Sequence, residues 1–218
     1  MKVLCVAAAL TLAVQPCLAD PAMAAPEAAT SGELLVASGW NGMDCDPACV
    51  AALMPKHWLA LVPGKNGWSL VPARLSFDDV DAKGIQSGVD GAEFYLAHPA
   101  LVAGHAPTPD MHFKGTPHAI KAGSPLRISF GGRSYELALE RHAVVLRGAG
   151  RTSTVNVVDE TFDDTVLVWA GDLDGDGWLD LIVDVTTEKN GRYCLLLSSE
   201  ARKPGELVRS AACQFFSG

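Results

Sequence analysis

The chain has 218 residues, 49% of them hydrophobic and 19% charged, with a formal net charge of −8. That length is enough for one good core or two small ones. The acidic balance and the lack of a basic cluster argue against nucleic acid or anionic lipid as a partner.

Met1-Lys2 gives a short basic start, VLCVAAALTLAV (3–14) is apolar, and Gln15-Pro16 breaks that run before Cys17-Leu18-Ala19. This pattern predicts a secretory signal peptide over residues 1–19, too short for a membrane-spanning helix of about 20 apolar residues. Cleavage is expected after Ala19, with Ala24 or Ala25 as second choices. A lipid-anchored form would use Cys17, but Gln15 and Pro16 suit a lipobox badly. No later apolar run is long enough to span a bilayer. The expectation is an exported protein, periplasmic or extracellular.

Residues 20–32, rich in alanine and proline, read as a flexible lead-in. A short helix is predicted at Pro47–Met54, where Asp46-Pro47 has the form of an N-cap and first-turn proline. Strands follow. HWLALV (57–62) and WSLVPARLSF (68–77) flank the turn signal PGKNG, and EFYLA (93–97) is another short strand. The stretch from Leu96 to Ser124 carries four prolines and four histidines and reads as a long surface loop or insertion. LRISF (126–130) and SYELALE (134–140) flank Gly131-Gly132-Arg133, a three-residue hairpin connection. AVVLRG (143–148) and TSTVNVVD (152–159) flank a further glycine turn, and TVLVWA, LDLIVDVT, YCLLLS and ELVRSAACQFF complete the series. Many short strands at about ten-residue spacing predict an all-β, mainly antiparallel sandwich or barrel-like domain over 33–218. A sub-boundary near residue 120 would set the C-terminal meander apart.

Removal of the signal takes Cys5 and Cys17 and leaves Cys45, Cys49, Cys194 and Cys213. An even count in an exported chain favours disulfides. Three connectivities exist. Folding the last two apolar runs about Lys203-Pro204 sets Cys194 opposite Cys213, so Cys194–Cys213 with Cys45–Cys49 is the first choice. A four-cysteine zinc site is the weaker alternative, since no CxxC pair is present.

The stretch GDLDGDGWLD (171–180) concentrates four aspartates where a turn belongs. With Asp172 as position 1, side-chain oxygens fall at positions 1, 3, 5 and 9, and Gly177 lies at position 6. Calcium loops of the EF-hand type take carboxylates from positions 1, 3 and 5 and a backbone carbonyl from position 7, here Trp178. Four carboxylates gathered at one point repel, and a divalent cation with oxygen ligands removes that penalty. Calcium suits the set better than magnesium, and the absence of histidine and cysteine from the loop disfavours zinc. The loop is not an EF-hand: position 12 is Val183 rather than a bidentate glutamate, and strand-like runs flank it. The alternative is a solvated acidic turn without a metal, since Asp and Gly are common turn residues.

WAGDLDGDGWLDLIVD resembles the aspartate-rich loop of FG-GAP/VCBS-type repeats, in which strand, calcium loop and strand follow in order. Asp172, Asp174, Asp176, the Trp178 carbonyl and Asp180 match that ligand pattern, and residues 163–216 resemble one four-stranded unit. The tail also looks like that of exported bacterial proteins carrying a single such loop. The resemblance implies a structural calcium ion and carries no substrate. Such repeats build propellers in series, and a single loop does not predict a propeller.

Other candidate chemistry is weaker. His98, His105, His112 and His118 sit among prolines that forbid a regular helix, and read as solvent-exposed loop residues. Asp159, Glu160, Asp163 and Asp164 form an acidic run before the calcium loop. GxSxG, HExxH and phosphate-binding glycine loops are missing, and Asp78, Asp79 and Asp81 cannot be paired from sequence. Trp58, Trp68 and Trp169 lie in strand runs, where packing is the default, whereas Trp178 belongs at the loop apex. The function read from this pattern is a calcium-stabilised, non-catalytic binding or envelope-associated module with a protein or glycan ligand. The alternative is a secreted hydrolase acting on a polysaccharide or envelope component.

Overall fold

The computed structural model describes residues 32–37, 51–53, 56–77, 85–111, 113, 117–141, 143–156, 164–186 and 190–217. The described residues are nearly all β, in three larger antiparallel sheets and one two-stranded ribbon, and among them no sheet closes into a barrel. Residues 51–53 are helical, within the predicted 47–54 helix.

The first sheet holds β1 (Glu33–Val36), β2 (Trp58–Gly64), β3 (Gly67–Ala73), β6 (Phe94–Ala97) and β7 (Gly104–Ala106), in the order β1-β6-β2-β3-β7. A two-stranded ribbon, β4 (Ser76–Phe77) and β5 (Ile85–Gln86), lies apart from it in the ladder. The second sheet is the meander β9 (Leu126–Phe130), β10 (Arg133–Glu140), β11 (Ala143–Gly148) and β12 (Arg151–Asn156). The third contains β8 (His118–Ala119), β13 (Asp164–Gly171), β14 (Asp180–Thr186), β15 (Asn190–Leu197) and β16 (Arg209–Ser217), in the order β16-β15-β14-β13-β8.

Period-two alternation explains why the first sheet is covered on both faces. Leu34, Val36, Leu61, Phe94 and Leu96 join the main core, which all three sheets share. Their neighbours Leu35, Trp58, Ala60, Tyr95 and Ala97 point the other way and pack with Leu53 and Leu75 in a second, smaller cluster. In the third sheet the central strands are apolar on both faces. Leu181, Ile182, Val183, Leu195, Leu196 and Leu197 are all sealed from water. Burying each such side chain contributes about 1.5–3 kcal/mol.

Two bulges tie the sheets together. In β16 the register slips between Leu195 and Leu196, which leaves Ala211 outside the ladder. Its freed carbonyl accepts the Gly32 N–H at 3.0 Å, and Gln214 Oε1 accepts the Val36 N–H at 2.8 Å. In this way β1, a strand not expected from the sequence, closes the gap between the first and third sheets. In β13 a slip between Leu167 and Trp169 lets Leu167, Trp169 and Ala170 all be buried.

Two expectations change. Gly131-Gly132 is a two-residue turn with positive φ at both glycines, and Arg133 is already paired with Phe130. The 96–124 stretch is not a surface loop. It contributes β7 and β8 to two different sheets, and Ala106, Phe113 and Ile120 are buried in the main core. Elements this short leave no periodic signal, so the prolines dominated the reading.

Cys194 and Cys213 are directly opposed on β15 and β16 and form a disulfide, with Cα atoms 4.2 Å apart. The Cys45–Cys49 pairing lies outside the described residues.

Candidate metal centre

The β13–β14 connection, residues 172–179, begins where Gly171 pairs with Asp180. A Cβ on Gly171 would lie 2.3 Å from the Pro107 carbonyl oxygen and 2.5 Å from the Trp169 ring, so no side chain fits there. The same carbonyl accepts the Asp172 N–H at 2.9 Å. The entry to the loop is thereby fixed to the segment following β7.

Each aspartate then caps the backbone ahead of it. Asp172 Oδ1 accepts the Gly175 N–H at 2.7 Å, and its Oδ2 accepts the Gly177 N–H at 2.9 Å. Asp174 Oδ1 accepts the Asp176 N–H at 3.2 Å, and Asp176 Oδ1 accepts the Trp178 N–H at 2.7 Å. Positive φ at Gly175 (79°) and Gly177 (77°) turns the chain back on itself. The result is three carboxylates with one ligand oxygen each inside a 4.8 Å circle: Asp172, Asp174 and Asp176. Among the described residues they are the one group of three or more metal-ligating side chains so gathered.

A second wall comes from the turn after β15. Ser199 N–H approaches Asp174 Oδ2 at 3.4 Å, and Ser198 Oγ lies 2.9 Å from Asp176 Oδ2. Asp180 stands behind this wall and outside the triad. It is fully buried; its Oδ2 accepts the Leu173 N–H at 2.8 Å, and its Oδ1 takes the Ser198 N–H at 2.8 Å and Oγ at 2.9 Å.

The electrostatics favour a positive guest. Burial, with the Asp174 charge adding to it, pushes the Asp180 carboxyl well above the ordinary carboxylate range despite its hydrogen bonds. Asp176 is raised too, by loss of water contact first and then by its neighbours Asp174 and Asp172. Ser198 Oγ has one proton and two carboxylate oxygens at 2.9 Å, so one of those contacts needs a proton from the carboxyl side.

The donor set fits a hard cation. Each oxygen of the triad accepts at most one of the hydrogen bonds above, and a carboxylate oxygen has about two lone-pair positions. Capacity for an ion therefore remains while the backbone stays capped. All the donors are oxygens, the set that calcium or magnesium prefers.

The third side of the loop faces the second sheet. Arg133, at the start of β10, donates from Nη1 to the Gly177 carbonyl at 2.9 Å. The guanidinium groups of Arg133 and Arg151 both stack on the Trp178 indole, 4.0 and 4.5 Å from the ring centroid. Trp178 is thus half-buried under cations, while Trp58, Trp68 and Trp169 are core residues.

The structure thus brings Asp172, Asp174 and Asp176 together and uses Asp180 as a buried hydrogen-bond acceptor. Sequence reasoning missed Ser198, Ser199, Arg133 and Arg151. The serines carry a faint signal, since they follow the strand that pairs with β14. The arginines carry none, because their approach depends on how two sheets dock. Among the described residues the histidines do not form a cluster. His98 is buried at its side chain and pairs with Glu200 at 3.3 Å, against the expectation of solvent exposure. His105 is exposed, His118 packs edge-on against Phe113, and His112 lies outside the described residues. So do Asp78, Asp79, Asp81, Asp159, Glu160 and Asp163. Among the described residues, no helix is long and apolar enough to cross a membrane.

Comparison with protein-family models, curated proteins and solved structures finds no match for this chain.

Proposed function

We propose that this protein is an exported, calcium-stabilised β module that binds a protein or glycan ligand and performs no catalysis. The supporting observation is the triad Asp172, Asp174 and Asp176, whose ligand oxygens lie within 4.8 Å of one another in a loop joining two core strands. Calcium is held by these three carboxylates with the Trp178 carbonyl as a completing position, and Asp180 holds the turn behind them. The ion supplies charge neutralisation and a fixed loop; the chain supplies the capped backbone. The likeness to the FG-GAP/VCBS loop supports this choice of ion, and the basic and apolar N-terminus supports export.

Thermal melting in calcium and in chelator tests the reading. For a dissociation constant of about 10 μM, 1 mM calcium raises the melting temperature by about 5–10 °C. Asp174→Ala combined with Asp176→Ala abolishes that rise. Identical wild-type melting with and without calcium contradicts the proposal.

A further inference from the structure

The arginine pair on Trp178 is not explained by a calcium loop alone. Arg133 and Arg151 come from different strands, β10 and β12, and converge on one ring. Like charges held this close repel, and among the described residues neither makes an ion pair with a carboxylate. Arg133 donates one N–H to the Gly177 carbonyl and also faces the Tyr135 hydroxyl, and among the described residues no carboxylate accepts from either guanidinium. The Tyr135 hydroxyl, also from β10, is buried with the Arg133 side chain as its hydrogen-bonding neighbour, though no contact of full hydrogen-bond geometry forms. Burial first, and then the Asp176 charge, hold this hydroxyl's proton more tightly, while the Arg133 and Arg151 charges act the other way, so both arginines and the loop lie within electrostatic reach of it. Gly148 is what lets the Tyr135 ring lie there, since a Cβ at residue 148 would meet the ring at 2.6 Å. This end of the second sheet is therefore rich in donors and poor in acceptors, at the rim of an acidic loop.

Charge balance gives these donors a condition. With the loop empty, its carboxylates offset the two guanidinium charges through space. A divalent ion in the loop reduces the triad's three negative charges to one, which no longer matches the two guanidinium charges. An oxyanion seated across the guanidinium groups restores the balance, and planar guanidinium suits carboxylate and sulfate geometry.

We infer that Arg133, Arg151 and Trp178 form a calcium-dependent site for an oxyanion, the carboxylate or sulfate group of an acidic ligand. Arg133 and Arg151 contact the anion, and Trp178 holds their planes in place. Trp178 also links the anion site to the ion site, because its own N–H is bound by Asp176. The inference rests on the calcium reading above and adds the chemical class of the ligand. Binding linkage makes the effect reciprocal: the anion tightens calcium as calcium tightens the anion.

The test is a calcium titration of the full chain at constant ionic strength in chloride, sodium sulfate or sodium glucuronate, with glucose as the neutral control. Calcium in chloride alone checks the loop reading independently. The expected result is a calcium dissociation constant lower by at least about fivefold in sulfate or glucuronate than in chloride. The more effective of the two salts identifies the ligand group. In Arg133→Gln/Arg151→Gln that tightening disappears relative to the same variant in chloride, where calcium still binds. If calcium binds but neither anion tightens it, or both tighten it equally in the double variant, the anion site is wrong and the calcium site stands. If calcium does not bind in chloride, both readings fall. Tyr135→Phe keeps the ring over Gly148 and weakens the anion effect alone; an unchanged effect removes Tyr135 from the site.

Discussion

Ser198 faces two carboxylates with one hydroxyl proton, and its neighbours show how the loop divides its aspartates. Asp172, Asp174 and Asp176 cap their own turn and retain free lone pairs, whereas Asp180 is committed to Leu173 and Ser198 behind them. Substitutions at the two kinds of aspartate therefore differ. Asp180→Ala leaves buried N–H groups of Leu173 and Ser198 unpaired, at a cost of about 1–3 kcal/mol for each. It lowers the melting temperature in chelator as well as in calcium, while Asp174→Ala acts in calcium only. Equal effects in chelator contradict this division of roles. The raised Asp176 and Asp180 carboxyls also set a pH dependence. A carboxyl that binds its proton more tightly in the fold than in the unfolded chain stabilises the fold at low pH. That contribution fades as pH rises above the ordinary value of 3.8 and through the raised folded values. In chelator the protein therefore loses stability as pH rises from the ordinary carboxylate value through the raised folded values, and Asp180→Asn flattens that loss. Melting that instead improves steadily with pH in chelator is the contrary result.

At the scale of elements, β14 and β15 carry most of the site. β14 brings Asp180 to the loop from one side, and the end of β15 brings Ser198 and Ser199 from the other. The Cys194–Cys213 disulfide joins β15 to β16 one strand further out. Closing a separation of 19 residues stabilises by about 3 kcal/mol in the chain-entropy account. Cys194→Ala/Cys213→Ala therefore lowers the melting temperature by about 6–12 °C. Because β15 and β16 remain paired by their ladder, the calcium affinity of this variant stays within about threefold of wild type. A lost calcium response would show that the disulfide, not the ladder, positions Ser198. The hairpins β2–β3, β9–β10 and β11–β12 were legible because each has a glycine or asparagine turn between apolar runs. The β9–β10 turn was read one residue too long, since nothing in Gly131-Gly132-Arg133 says that Arg133 already belongs to the strand.

For the molecule as a whole, local pattern revealed the strands and non-local packing did not. Apolar runs bounded by turn residues predicted β13 to β16 and the pairing of the last disulfide, because these features depend on local composition and turn length. β1 was missed because four residues of ELLV are ambiguous until the Ala211 bulge and Gln214 provide partners. The 96–124 stretch was misread for the same reason, as β7 and β8 are stabilised by sheets distant in sequence. The aspartate register was clear from spacing alone. The role of Asp180 and the presence of Arg133 and Arg151 at the rim were not, since each follows from how layers meet. The acidic loop thus sits where all three sheets contribute: Pro107 follows the first, Arg133 and Arg151 begin strands of the second, and the loop itself belongs to the third.

The central claim is that one divalent ion with a preference for oxygen ligands neutralises this junction. Equilibrium dialysis against labelled calcium measures it directly, with wild type and Asp174→Ala/Asp176→Ala side by side. The account predicts one ion per wild-type chain at millimolar calcium and none in the double variant. A wild-type chain that retains no calcium, or a double variant that retains as much as wild type, contradicts it.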